Sequence, residues 1–350
     1  MIPTFLPRLA VVCAALCSAS FAQAPSSDTV LIEVDGTKLT AADIERERPT
    51  VFFHARNTFY EGQKKAILAF VDDYLLKRQA QKENVTVAQL LERHVNSVIA
   101  KDPPEEALHV YYEGVDTTEP YEAVRGQIIA HIRDVRLAKA KAAYLQSLRS
   151  QAKVDLRLAP PRAEVATREI PVRGTPTALV TIAEYADYEC PYCQQAEPTI
   201  RKVLADYDGK VAFTYKDVPL PMHAHAEKAS EAAQCAGDQG KFWEFHDLLY
   251  TTRQLEISQL KADARQLKLD GEVFDKCLDS GQKIEGVKSQ LIEGQALGLE
   301  GTPSFFINGR FVSGNVSYDD WRRIIDEEIA VSSAKAKQNA GATSGSGGKR

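Results

Sequence analysis

The stretch Val180-Thr181-Ile182-Ala183-Glu184-Tyr185-Ala186-Asp187-Tyr188-Glu189-Cys190-Pro191-Tyr192-Cys193 decides how the chain is read. It starts with alternating apolar residues, Val180 and Ile182, the pattern of a strand, and ends in a Cys-x-x-Cys that opens a helical segment. A cysteine at a helix N-terminus faces unpaired backbone N–H groups and the positive end of the helix dipole. Both stabilise a thiolate, so Cys190 is expected to have a lowered pKa and to act as the nucleophile in thiol–disulfide exchange. Cys193 lies one turn further on, placed to close a disulfide with Cys190 or to resolve a mixed one. The competing reading of a lone Cys-x-x-Cys is half of a zinc site.

Glu184 precedes Cys190 by six positions, on the strand face shared by Val180 and Ile182. A core-facing carboxylate is costly unless it has a task, and here it is placed to exchange protons with the Cys193 thiol. Pro198 is expected to kink the helix that Cys190 opens, and Gly301-Thr302-Pro303 precedes a strand, Ser304–Ile307. In this order and spacing the chain resembles the thioredoxin superfamily and, within it, the DsbA-like periplasmic thiol oxidoreductases. The resemblance implies an α/β thioredoxin fold with a helical insertion, preceded here by a mostly α-helical domain. It implies that Thr302 and Pro303 form a cis-proline loop that binds substrate backbone, with no metal and no cofactor. Cysteine-containing or unfolded exported proteins would be substrates, and a membrane redox partner would reset the Cys pair. The dipeptide Pro191-Tyr192 departs from the Pro-His of the strongly oxidising DsbA pattern, and Thr302 occurs in isomerase-like relatives. Oxidase, reductase and isomerase directions therefore stay open.

With 350 residues the chain has room for two domains. A net charge of −5 gives no basic footprint for nucleic acid. Residues 1–22 read as a signal peptide, with Arg8, an apolar core from Leu9 to Leu16, and small residues at Ser20 and Ala22. That run is too short for a comfortable membrane span. Of six cysteines, Cys13 and Cys17 fall within it. The other four then sit in a periplasmic or otherwise exported setting, where disulfides persist. Cys235 and Cys277 are read as a structural disulfide, against completion of a zinc site with the Cys pair or two buried thiols.

Before the redox half, Val30–Val34 reads as a strand, Asp35-Gly36 as a turn and Thr40 as a helix cap. A helix is expected from about Gln63 to Gln81, with Ile67, Val71, Tyr74 and Leu75 inward. Thr86 and Gln89 form a capping-box signal, and Pro103-Pro104 precedes a helix at Glu105–Glu113. The longest helix, about Tyr121 to Gln151, carries a stripe of Val124, Ile128, Ile132, Val135 and Leu145. Residues 28–156, from Val34-Asp35-Gly36 to a strand-like Val154–Leu158, resemble the N-terminal domain of SurA-type chaperones. A chaperone or client-binding protein with a secondary redox domain is the alternative function, and a helical spacer or dimerisation arm is the structural one. His54, His94, His109 and His131 lack metal-ligand pairing, and His246 reads as a packing residue. Pro160-Pro161 marks a boundary before a thioredoxin domain at 165–331, its helical insertion at about 223–300. Residues 332–350 read as a disordered tail.

Overall fold

The computed structural model describes residues 28–344, apart from 49, 100, 101, 168 and 169. The signal-peptide reading of 1–22 and the last residues of the expected tail lie outside the described residues. β1 (Val30–Val34) and β2 (Thr37–Thr40) pair antiparallel across Asp35-Gly36. The φ values there, 48° and 79°, are the left-handed pair that a two-residue hairpin turn needs. Thr40 caps α1 (Ala41–Glu47) through a reciprocal box: Asp43 N–H donates to its hydroxyl at 3.2 Å, and Thr40 N–H donates to the Asp43 carboxylate at 2.9 Å. These elements belong to a compact unit that ends at Phe52, and the residues from Phe53 form a second.

The second unit opens with four helices. They are α2 (Phe53–Lys82), α3 (Val87–His94), α4 (Glu105–Glu113) and α5 (Tyr121–Ala152). The Thr86–Gln89 box starts α3. Leu75, Leu76 and Ala80 of α2 pack with Leu90 of α3 and with Leu145 and Leu148 of α5. A bidentate Arg149–Asp72 pair at 2.6 and 2.5 Å ties α5 to α2. Four expectations are corrected. α2 begins at Phe53, nearly three turns before Gln63, since Gly62 weakens a helix by only about 1 kcal/mol. Tyr74 faces out, 57% exposed, because the buried stripe runs through Leu75 and Leu76. Val135 is 52% exposed: α4 covers the start of α5, with His109 over Tyr121 and Tyr111 over His131, while α2 and α3 cover its end. Residues 154–158 form no strand.

The redox half is built on a five-stranded sheet in the order β3-β5-β4-β6-β7. Its strands are β3 (Val172–Gly174), β4 (Val180–Ala186), β5 (Val211–Asp217), β6 (Ser304–Ile307) and β7 (Arg310–Ser313). Only β4 and β5 run parallel, joined by the crossover helix α6 (Pro191–Asp206). Between β5 and β6 lie α7 (Ala226–Asp238), α8 (Phe242–Thr252), α9 (Ile257–Gln266), α10 (Gly271–Asp279) and α11 (Ile284–Ala296). This is the thioredoxin arrangement with a helical insertion. Val180 and Ile182 pack on Ala196, Ile200 and Val203 of α6 and on Trp321, Ile324 and Ile325 of the last helix, α12 (Tyr318–Ser344). Ala183 and Tyr185 face the other way, as strand alternation requires.

α12 runs on to Ser344, so the tail reading of residues 332–350 is corrected as far as that residue. The segment from 332 to 344 carries four Ala and two Lys, which favour helix when an existing helix can simply propagate. Just after Pro160-Pro161 the chain is tied into the redox half. Arg162 grips the buried Glu328 with two bonds of 2.8 Å, and Ala163 N–H donates to Gly309 at 2.9 Å. Phe53, only 4% exposed, packs with Ala163, Ala183, Tyr185 and Phe306 in the core of the sheet. Cys235 of α7 is bonded to Cys277 of α10 across a separation of 42 residues.

Candidate active site

Cys190 stands at the C-terminal end of the central strand, where β4 hands the chain to α6. The turn between them is local chemistry: Asp187 accepts the Glu189 N–H on its side chain at 2.7 Å and the Cys190 N–H on its carbonyl at 3.1 Å. Cys190 is the residue that caps α6, with extended dihedrals of −67° and 121°, and Pro191 fills the first helical position. The cap places the sulfur at the helix N-terminus; Cys193 follows, and both thiols are buried and unbonded.

The two thiols are driven in opposite directions. Cys190 is lowered to about 5, first by a hydrogen bond from the Cys193 thiol. Burial works against this shift, and the Thr302 side chain and the N–H groups of Cys193 and Tyr192 add to it. Cys193 is pushed up by burial, by its bond to Cys190 and by the charge of Glu184. When protonated, Cys190 Sγ donates to the Thr302 carbonyl at 3.5 Å. Thr302 precedes Pro303 in a cis peptide, and its carbonyl contact sets this loop against the nucleophile.

Glu184 sits on β4 beside Tyr215 of β5 and Phe305 of β6, and is 1% exposed. Burial, and then the charge of Glu197, hold its carboxyl well above the usual range. Its Oε2 has no hydrogen-bond partner among the described residues. Pro198 lies within α6 as expected, removing one N–H from that helix. Thus Glu184, Cys190 and Cys193, from a strand and the helix that follows it, meet the Thr302-Pro303 loop from far along the chain. Cys235 and Cys277 do not join them; their bond leaves neither thiol for a zinc site with the Cys pair.

Glu197, His246 and Asp247 bring three donor atoms within 4.8 Å of one another, the geometry of a metal site. Arginines already occupy both carboxylates, Arg201 on Glu197 at 2.7 Å and Arg173 on Asp247 at 2.9 Å. The cluster is therefore an ion-pair network joining α6, β3 and α8. His246 is held neutral by burial, and its Nδ1 lies 3.1 Å from the Tyr188 hydroxyl. His94 pairs with Glu83 at 3.1 Å and stacks on Tyr144, a structural role.

Two residues beside the site escape a reading of the sequence. Asp187 leaves a usable signal, since an aspartate two positions before an N–H it can bind marks a turn. His223 leaves none, because it reaches the site only through the loop after β5.

A family model described as thioredoxin matches residues 166–327. The C-terminal half is thus a thioredoxin-like domain. Among curated proteins, the Na(+)/H(+) antiporter NhaA 1 of Salinispora arenicola is 39% identical over 150 residues, 42% of this chain and 23% of the antiporter. The chain spans about a quarter of the length of the curated relatives it matches. None of the described helices is long and apolar enough to cross a membrane. Among solved structures, a thioredoxin-like oxidoreductase from Silicibacter pomeroyi is 28% identical with a TM-score of 0.41, covering 46% of this chain and 92% of that one. BdbD from Bacillus subtilis is 22% identical with a TM-score of 0.44, covering 49% and 98%.

Proposed function

We propose that the chain is a thiol–disulfide oxidoreductase acting on cysteines of exported proteins through Cys190 and Cys193. The observation that carries this reading is geometric: Cys190 caps α6 with the free Cys193 one turn on and the Thr302 carbonyl 3.5 Å from its sulfur, an arrangement that drives the two thiols in opposite directions. The Cys190 thiolate attacks one sulfur of a substrate disulfide, and the other sulfur leaves as a thiolate and takes up a proton. Cys193 then gives up its proton and attacks Cys190 Sγ. The second substrate thiol departs, the substrate has gained two electrons, and the Cys190–Cys193 disulfide remains. Run backwards, the same steps oxidise a client. Glu184 is the buried group beside Cys193 through which its proton passes, and the Thr302-Pro303 loop receives the substrate backbone.

The apolar N-terminal segment and the Cys235–Cys277 bond support an exported, periplasmic setting. Unfolded or cysteine-containing exported proteins are then the clients, and a membrane redox partner resets the pair. The alternative, client binding by the helices, is favoured by Phe59, Phe70 and Tyr74, which lie on α2 and are 67%, 72% and 57% exposed. Cys190→Ser should abolish reduction of insulin, and Cys193→Ser should accumulate mixed disulfides with client. Equal loss in both variants with no trapped adduct would remove the nucleophile assignment.

A further inference from the structure

The loop after β5 sets two histidines against the two acids that precede Cys190. His223 donates from Nδ1 to the Asp187 carboxylate at 2.8 Å. His225 donates its backbone N–H to Glu189 at 2.7 Å, with its Nδ1 3.3 Å from the other oxygen. Asp187 is fully buried and also accepts the N–H groups of Leu220 and Glu189, so its carboxylate cannot swing away. Its main chain is part of the Cys site: the carbonyl holds the Cys190 N–H at 3.1 Å, and its backbone hydrogen-bonds Cys193. One residue therefore fixes the imidazole and both cysteines in a common frame. With Nδ1 on Asp187, the His223 side chain is 17% exposed.

We propose that His223, oriented by Asp187, supplies the cation that faces the Cys190 thiolate, a charge that Pro191 and Tyr192 do not bring. This rests on the reading of Cys190 as the nucleophile. His223 is a positioning residue in this sense, acting on the sulfur through space, with Asp187 as its anchor. The charges around it are Asp187, Glu189 and Cys190, with His225 holding Glu189 aside. Burial alone would lower the His223 imidazole, but its bond to Asp187 and the charges of Asp187, Cys190 and Glu189 raise it. The interaction is reciprocal: a thiolate that favours the imidazolium is favoured by it to the same extent. The contribution is secondary to the Cys193 thiol, which is the main cause of the Cys190 shift. The imidazolium is present below the raised histidine value and is lost as pH rises through it. It is therefore in place where Cys190 titrates, at about 5.

Two measurements test this on the full chain. The first follows ultraviolet thiolate absorbance of the reduced protein against pH for the parent, His223→Gln and His223→Lys. Gln should move the Cys190 midpoint up, lowering the thiolate-to-thiol ratio at a given pH about three- to tenfold, where tenfold is one pKa unit. Lys should restore most of it. A Gln midpoint equal to the parent's, or equal shifts for Gln and Lys, would overturn the proposal. A parent chain that titrates near the free-cysteine value of about 8.5 would instead remove the nucleophile reading on which it rests. The second needs no substitution: the His223 ring, followed by NMR, should titrate at higher pH in the reduced protein than in the Cys190–Cys193 disulfide form. Identical midpoints in the two forms would refute the charge coupling.

Discussion

Phe53→Ala is the sharpest test of how the redox sheet is held. Phe53 opens α2, yet its ring lies in the core of the sheet, 4% exposed and 5.6 Å from the Phe306 ring. Truncating a buried Phe to Ala costs about 3–5 kcal/mol. The lower end applies, about 3 kcal/mol, because a helix terminus can relax into part of the void. For a chain of this size each kcal/mol moves the midpoint by about 2–4 °C, so a fall of about 6–12 °C is expected. Phe59 is the internal control, on the same helix but 67% exposed. Its replacement by Ala should stay within about 0.5 kcal/mol of the parent. The assay is thermal unfolding of the purified protein by circular dichroism, with alkylation of Cys190 at low temperature to check that the site is intact. If the two alanine variants melt together, Phe53 is not a core residue. A fragment starting at Arg162 lacks Phe53 and should melt below the Phe53→Ala chain.

Removing the Cys235–Cys277 bond as a double alanine variant should cost about 4 kcal/mol in the chain-entropy account of a loop of 42 residues; an unfolding free energy within about 1 kcal/mol of the parent would mean that other contacts already constrain that loop. Burial holds the Glu184 carboxyl well above its ordinary 4.5, so the folded chain keeps a proton that the unfolded chain releases above that pH. Stability should therefore fall as pH rises from about 4.5 toward the folded value, and Glu184→Gln should remove that part of the slope. Urea midpoints of parent and variant that run parallel across this window would show the carboxyl to be solvated.

The Cys pair, its strand and its helix are legible in sequence because each is set by local rules. Alternation defines β4, and a cysteine directly before Pro191 is placed to cap the helix that Pro191 begins. The hairpin turn at Asp35-Gly36 and the box at Thr86–Gln89 are legible for the same reason: the residues that make the bonds lie three or fewer positions apart. Thr302 and Pro303 are reached through the order of motifs along the chain and its family resemblance, not through any local signal linking them to Cys190.

Tertiary structure decided the rest. Which face of α2 is buried depends on where α3 and α5 cross it, so Tyr74 and Leu75, adjacent in sequence, end on opposite sides of a surface. Phe53 belongs to the sheet's core because the chain after α5 returns to pin Arg162 and Ala163 against β7 and α12, which spacing alone cannot reveal. His223 and Asp187 are separated by the whole of α6 and β5, and their 2.8 Å bond exists because the parallel β4–β5 pair brings both strand ends to the same edge. Residue type and spacing determined the chemistry available to this chain, a thiol pair at a helix start with a buried acid. Long-range packing determined the charges around that pair, since an ionisation is set by whatever lies within a few ångströms of the sulfur, wherever in the sequence it comes from.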